Sequence, residues 1–515
     1  MTAPAVYGRE RVALVTAAEA AELDRHAQAD AGVPGRVLME SAGRAAAEVI
    51  HRLYPAGRIV AFVGGGNNGG DALVALRSLA AWGREVAWIP AAGSAPDPAL
   101  LAGTDLPPLS DDDLDTALAD PAVLVDGVLG TGARGAPRER AAALIRRMNG
   151  SERPIVALDI PSGVDPTTGE VPGEAVTAAV TVMFGWPKRG GLLQPGRSRC
   201  GRILAVEIGF PPLPEDGAAA ALITPGWARA RLPGRDPDAH KNSVGRVLVV
   251  AGRKGMAGAA AIAGRSAVRA GAGLVRVVSD DANRGIIQSL VPEGLFIDRA
   301  DNGAVAEALE ASDALLAGPA MGTGRAEGTL LDRLLDGLGE RRCVLDADAL
   351  TILAARDGMR DLDGRFVLTP HPGEMSRITG LSVGDIRHDP LGRAAELAAG
   401  TAGAVVLLKG SPSVVAAAGA PVLVNSVGSS DLAAAAMGDQ LAGMIAAFLA
   451  AGALPRDAAA LGLFYGGRAA ELARRGRGLT PDDVTEHLPA AFDHPGPDRP
   501  PLDLPFILFD QPARW

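Results

Sequence analysis

The stretch GGGNNGGD at residues 64–71 sets five glycines, two asparagines and a carboxylate directly behind the apolar run 59–63. Glycines at a strand-to-helix turn let backbone N–H groups and the positive end of a helix dipole face an anion. The turn therefore reads either as a cradle for a phosphate-bearing ligand or as a tight connection with no guest. Amide side chains are not needed to make a turn, so Asn67 and Asn68 favour the ligand, and Asp71 is expected to open the helix that follows. Two later apolar runs end in the same manner. Residues 122–125 lead into Asp126 and the turn VLGTGARG, and residues 155–158 lead into Asp159 and IPSGVD, which carries Ser162. Polar loops at equivalent strand ends can share one crevice, although capping and turn formation are the ordinary roles of any one such carboxylate.

A second group of candidates lies further on. Lys409 and Gly410 follow the apolar run 405–408 and are expected to offer an ammonium and free N–H groups to phosphates. Gly438 and Asp439 stand where LAAAAMGDQLAGMIAAFLAAG turns helical. Asp439 has two readings: an N-cap favoured by the dipole, or a base that takes a proton from a substrate hydroxyl while nearby N–H groups hold a transferring phosphoryl group. His371, between Pro370 and Pro372, either orients a substrate or packs in a rigid loop, and Asp346 and Asp348 either bind a metal or cap a helix.

These residues need a scaffold that brings strand ends together. Thr16 and Glu19 form a capping-box pattern for a helix reaching about residue 30, and residues 38–53 repeat apolar and small positions at helical spacing. Strands are expected at 86–89, 176–184 and 203–208, with a Pro/Ala/Asp-rich surface linker running to about residue 113. A Pro/Gly/Ala-rich linker with one short helix occupies 211–237. The strand-then-glycine grammar then restarts, with strands at 246–251, 274–278, 314–317, 344–345, 366–368 and 405–408 and a helix at 259–269. Alternating strands and helices describe a mostly parallel α/β architecture with ligands at the carboxyl ends of the strands. The Pro-rich tail 489–515 has no assignable role.

Composition narrows the function. A chain of 515 residues has room for two to four domains. Lys and Arg number 50 against 60 Asp and Glu, and a net charge of −10 argues against a general nucleic-acid or anionic-membrane binder. Any anion must therefore be bound locally. Cys200 and Cys343 are too few for a disulfide framework and read as small buried residues. The N-terminus lacks the pattern of a secretion signal, and the longest apolar stretch, 441–454, is too short to span a bilayer and reads as a buried helix. A cytoplasmic location is expected.

The first half, about residues 10–210, resembles the NAD(P)H-hydrate epimerase domain, with LMESAG at 38–43, GGGNNGGD at 64–71, VDGVLGTG at 125–132 and LDIPSGVD at 158–165. The second half, about 238–488, resembles the ribokinase-like ADP-dependent NAD(P)H-hydrate dehydratase: HKNSVGRVLVVAG at 240–252, AGAGL at 270–274, DADAL at 346–350, LTPHPGE at 368–374, LKG at 408–410 and GD at 438–439. The resemblance implies an N-terminal Rossmann-like three-layer domain followed by a ribokinase-like α/β domain. It implies a bifunctional nicotinamide nucleotide repair activity. R and S hydrates of NADH or NADPH are interconverted, and the S form is dehydrated at the expense of ADP, giving AMP and phosphate.

By the same resemblance, the dinucleotide lies against Asn67, Asn68, Gly69, Gly70 and Asp71 and against Gly130, Thr131, Gly132, Ala133, Arg134, Gly135 and Ala136. Asp159 handles protons or stabilises a cationic ring, and a potassium ion sits at Asn68, Asp126 and Ser162. In the second domain Ala259, Gly322, His371 and Asp439 line the hydrate site, with Asp439 as the base. Lys409, Gly410, Ser411, Pro412, Ser413 and Gly438 hold the adenosine nucleotide, with magnesium. A homo-oligomer with no nucleic-acid or membrane partner is expected.

This chain departs from the family where a Gly-Gly-x-Gly-Asp loop becomes Ala435, Ala436, Met437, Gly438 and Asp439, and where Ala320 and Met321 stand in a GPGLG-type turn. Methyl groups there are expected to crowd a phosphoryl pocket or to forbid positive φ. Three readings stay open on sequence: the bifunctional repair enzyme, also with only its epimerase half active; a ribokinase-like kinase for another small hydroxyl compound; and a non-catalytic nucleotide-binding scaffold.

Overall fold

The computed structural model describes residues 6–91, 97–213, 218–356, 359 and 361–513. Residues 92–96 of the first linker and 214–217 of the second lie outside the described residues. The chain divides into two compact units, one made of residues 6–221 with 496–513 and the other of residues 222–495.

The first unit is built on an eight-stranded sheet in the order Tyr7–Gly8, Ile507–Gln511, Arg202–Val206, Val180–Phe184, Ile155–Leu158, Val123–Gly127, Ile59–Val63, Val86–Pro90. The strands from Arg202–Val206 to Val86–Pro90 are parallel. Ile59–Val63 is apolar throughout because both faces are covered. Ile59, Ala61 and Val63 enter a core with the helices Gly35–Leu53 and Asn67–Ala81, while Val60 and Phe62 enter another with helix Glu139–Gly150. The capping box forms as expected: Glu19 N–H donates to Thr16 Oγ1 (3.1 Å) and Thr16 N–H to Glu19 Oε2 (2.7 Å), starting helix Ala17–Arg25.

Two expectations are corrected here. Helix Asn67–Ala81 begins four residues before Asp71, with Gly66 as its N-cap, so Asp71 lies buried one turn inside rather than at the opening. The tail, without a role on sequence, supplies the buried strand Ile507–Gln511.

The second unit carries a ten-stranded sheet in the order Leu295–Asp298, Leu274–Ser279, Arg246–Val250, Ala314–Ala317, Arg342–Leu345, Phe366–Leu368, Val405–Leu408, Val414–Ala416, Val422–Asn425, Ala220–Ile223. The first seven of these are parallel. Val414–Ala416 and Val422–Asn425 add an antiparallel hairpin. The buried helix expected near residue 441 spans Met437–Ala450 and packs on helix Ala257–Arg269 and on the central strands. Cys200 and Cys343 are buried, and burial pushes the Cys200 thiol up to about 12. Among the described residues no helix is long and apolar enough to cross a membrane.

Candidate active sites

In the first unit the turn after Val63 lies tight against its neighbour. A Cβ on Gly64 would fall 2.0 Å from the Val128 carbonyl oxygen, so only glycine lets the two strand-end loops meet. That approach brings Asn68 to the loop after Asp126. Its Nδ2 donates to the Leu129 carbonyl (2.9 Å), while its Oδ1 is buried without a hydrogen-bond partner. Asp126, fully buried, accepts from Ser162 N (2.8 Å), Ser162 Oγ (2.6 Å) and Val128 N (3.2 Å). Burial pushes its carboxyl up to about 6 against those hydrogen bonds. Asn68, Asp126 and Ser162 are thus brought together around hard oxygen atoms.

Beside them opens a cavity of about 570 Å³. Asn67, Asn68, Asp71, Gly130, Thr131, Gly132, Ala133 and Asp159 are on its wall. Gly69 and Gly70 are buried in the helix and do not line it. Arg134, Gly135 and Ala136 are exposed and outside this wall, with Arg134 Nη1 folded onto the Thr131 and Ala133 carbonyls (both 3.0 Å).

Two residues of this wall, Lys188 and Asp24, were missed on sequence. Asp159, held at a left-handed φ of 64°, places Oδ1 2.5 Å from Lys188 Nζ, and Lys188 also donates to the Phe184 carbonyl (2.5 Å). Both side chains are nearly buried, at 4% exposure for Lys188 and 12% for Asp159. Asp24 is the other. Burial, then the carboxylates of Asp159 and Asp24, push the Asp71 carboxyl well above its usual range, and burial raises Asp24 too. The only sequence signal for Lys188 was its place in GWPKRGG just after a buried strand.

In the second unit the carboxyl ends of the parallel strands gather Asp346, Thr369, Lys409 and the start of helix Met437–Ala450. Lys409 Nζ is 2.8 Å from Asp346 Oδ1 and 3.8 Å from Glu374 Oε2, and Thr369 Oγ1 donates to the same Asp346 oxygen (2.7 Å). Burial opposes the Lys409 charge, but Asp346 and Glu374 outweigh it and raise its pKa. A Cβ on Gly438 would lie 3.3 Å from Lys409 Nζ, so this ammonium stands at the helix start. Asp439, in the first turn, is pushed up to about 6, by burial first and then by Asp346.

Several expectations change. The Lys409 ammonium is present but ion-paired with Asp346, and the Gly410 N–H, expected to be free, is taken by Ser413 Oγ (3.1 Å). Ser411 is exposed and Pro412 half-buried on the same loop. His371 is exposed and caps helix Pro372–Thr379, its Nδ1 accepting from Gly373 N (2.9 Å) and Glu374 N (3.2 Å). Asp348 Oδ2 accepts from Gly322 N (2.8 Å), and Ala259 is half-buried on helix Ala257–Arg269. Neither Asp346 nor Asp348 belongs to a metal-type cluster, since among the described residues no three His, Cys, Asp or Glu groups are placed to hold an ion. The alanines do not forbid positive φ: Ala320 adopts 46° and Ala436 64°, and Ala347 joins them at 47°. A cavity of about 760 Å³ opens beyond Gly322, lined by Arg253, Arg299 and Glu327 among others and not by Asp439 or Lys409.

Two α/β units, each gathering ionisable groups at the carboxyl ends of parallel strands, describe a two-site enzyme. The ribokinase-like fold is shown by a ribokinase-like superfamily protein from Enterococcus faecalis V583, with a TM-score of 0.50 and 22% identity, covering 53% of this chain and 96% of that one. Residues 35–190 match the family model described as YjeF-related protein N-terminus, and residues 247–490 the one described as NAD(P)H-hydrate dehydratase. Proteins named bifunctional NAD(P)H-hydrate repair enzyme Nnr are similar along nearly the whole chain. The one from Moorella thermoacetica is 36% identical, covering 92% of this chain and 96% of its own. That from Salinibacter ruber is 37% identical over 89% and 91%, and that from Escherichia coli 34% over 88% of each. The chain belongs to the bifunctional NAD(P)H-hydrate repair enzyme family. The small-molecule kinase alternative is not favoured by these relatives.

Proposed function

We propose that the first unit interconverts the R and S hydrates of NADH and NADPH and that the second dehydrates the S form, consuming ADP and releasing AMP and phosphate. The observation that carries this reading is the presence in one chain of two strand-end sites, each pairing a lysine with an aspartate and leaving a further carboxyl of raised proton affinity on the same wall or helix end.

In the first unit, Asp71 holds its proton in the cavity and is the donor to the leaving hydroxyl, which departs as water and leaves a cationic ring. Asp159, fixed by Lys188, faces that positive charge, and water returns to either ring face, giving a proton back to the Asp71 carboxylate. The residues present fit a monovalent cation: the orphaned Asn68 Oδ1, the buried Asp126 carboxylate and Ser162 Oγ are hard oxygen donors carrying one negative charge. Bound there, potassium would tie the three strand ends together.

In the second unit, Asp439 takes the proton of the hydrate hydroxyl as that oxygen attacks the terminal phosphorus of ADP, and the bond from that phosphorus to the bridging oxygen breaks with AMP as the leaving group. Phosphate then leaves with its C–O bonding pair, and loss of a proton from the adjacent ring carbon restores the dihydronicotinamide. Lys409, Gly410, Ser411, Pro412, Ser413 and Gly438 would border the nucleotide, and Ala259, Gly322 and His371 the hydrate. Magnesium would arrive on the nucleotide phosphates and be held mainly by them, offsetting charge on the transferring group.

Mixing the protein with racemic NADH hydrate, ADP, magnesium and potassium tests this by the return of NADH absorbance. Complete recovery is expected. Recovery stopping near half means that only the second site works, and none refutes the reading. Asp439→Asn is expected to abolish recovery with folding intact, and Asp159→Asn to slow only the R-epimer phase.

A further inference from the structure

The C-terminal segment is built into the first unit. Ile507–Gln511 pairs antiparallel with Arg202–Val206 on one side and with Tyr7–Gly8 on the other. Its register is clasped by two hydrogen bonds from Arg202 to the fully buried Asp510 (2.9 and 2.7 Å) and by Arg197 Nη2 donating to the Pro512 carbonyl (3.1 Å). Leu504 and Ile507 enter the core shared with Val206, Ile208 and Phe184, and Phe506 packs against it.

The strand also reaches the cavity. The Phe506 carbonyl accepts the N–H of Glu207 (2.8 Å), the first residue past Arg202–Val206. Ile208 and Phe210, next along that arm, line the cavity. The Phe210 ring lies on Gly185, where a Cβ would fall 2.5 Å from a ring carbon. Gly185 stands between Phe184 and Trp186, both on the cavity wall, and the Phe184 carbonyl holds Lys188. A continuous path of contacts thus runs from the tail, through residues 207–210, to the turn that carries the Lys188–Asp159 pair.

We infer that residues 496–513 are a positioning element of the first catalytic site, holding the Ile208–Phe210 wall against the Lys188 turn, so that the epimerase site is completed by chain that follows the entire second unit. The inference rests on the epimerase reading above.

The test compares the full chain with a variant ending at Pro495 and with Phe506→Ala and Phe506→Leu in the full chain, using separately prepared R and S NADH hydrates with ADP, magnesium and potassium. The shortened chain is expected to keep its S-phase rate within twofold while its R phase falls to the rate without enzyme. Phe506→Ala is expected to raise KM for the R hydrate several-fold with kcat within twofold, and Phe506→Leu to restore it. An R phase within twofold of the intact chain after truncation overturns the inference. If the shortened chain does not fold, Phe506→Ala decides: unchanged R-hydrate KM overturns it. An intact chain that acts on neither hydrate removes the functional reading, and this inference with it.

Discussion

Lys188→Met tests the charge arrangement of the first site most directly. With the lysine and aspartate side chains 4% and 12% exposed and their charged atoms 2.5 Å apart, removing the ammonium leaves a buried carboxylate without its partner. Breaking such a pair costs roughly 3–5 kcal/mol. At about 2–4 °C per kcal/mol for a unit of this size, the first unit's melting transition is expected to fall by roughly 6–20 °C. Differential scanning calorimetry reads this, with the second unit's transition as the internal reference. The pH dependence has a definite sign. Burial raises the Asp71 and Asp24 carboxyls while the Lys188 charge holds both back, so the variant makes each bind its proton more tightly in the folded state. Groups with raised folded pKa values give stability that is present at low pH and lost as pH rises through the folded value. The deficit should therefore be smaller at about pH 5 than at about pH 8. Adding Asp159→Asn removes the unpaired charge and should return at least half of the loss. An unmoved transition, or a deficit equal at both pH values, would refute the assignment of Lys188 as the compensating charge.

Three further outcomes are expected. With its carboxyl near 6, Asp439 must lose a proton to act as base, so S-hydrate kcat/KM should fall about tenfold per pH unit below that value and level off above it; a profile flat down to about pH 5 would exclude Asp439 as the base. Ala436 at φ 64° carries left-handed strain of about 1 kcal/mol, so Ala436→Gly should stabilise the second unit by roughly 0.5–1 kcal/mol with dehydratase activity kept, and a lower melting midpoint would contradict this. Potassium, but not a bulky organic cation, should stabilise the first unit by about 2.7 kcal/mol at a hundredfold excess over Kd and so raise its melting midpoint. Asn68→Leu should abolish that rise, and a rise that persists in the variant would place the ion elsewhere.

What the sequence made legible follows from how local the determining physics is. The strands Ile155–Leu158, Ala314–Ala317, Phe366–Leu368 and Val405–Leu408 occur at the expected residues because each is a short apolar run bounded by turn formers. Asn68, Asp126 and Ser162 were recoverable because all three stand just past such runs. Asp71 was misplaced because Asn67, Asn68, Gly69 and Gly70 are poor helix formers, and contact with the Val128 loop overrides propensity there. Lys188 was invisible because a lysine reads as a surface residue, and its burial depends on Asp159 far back in the chain. The tail strand was hidden for a similar reason: its register is dictated by Arg202 and Val206, and a proline-rich stretch carries no local sign of that pairing.

Ala436 shows why missing glycines do not by themselves disable a loop. A left-handed alanine costs about 1 kcal/mol, a small fraction of what a large buried domain can offset, and the helix it opens is almost wholly buried. The charge design survives that substitution. In each unit a lysine is held by a neighbouring aspartate, Lys188 by Asp159 and Lys409 by Asp346, with Glu374 also within 3.8 Å of Lys409. A neighbouring carboxyl is thereby left with no cation of its own within ion-pair distance among the described residues, and burial raises its proton affinity. Asp71, raised well above its usual range, keeps a proton to give to a leaving hydroxyl, whereas Asp439, near 6, is free of its proton at neutral pH and ready to accept one. The same motif of a paired and an unpaired carboxyl thus supplies an acid in one unit and a base in the other.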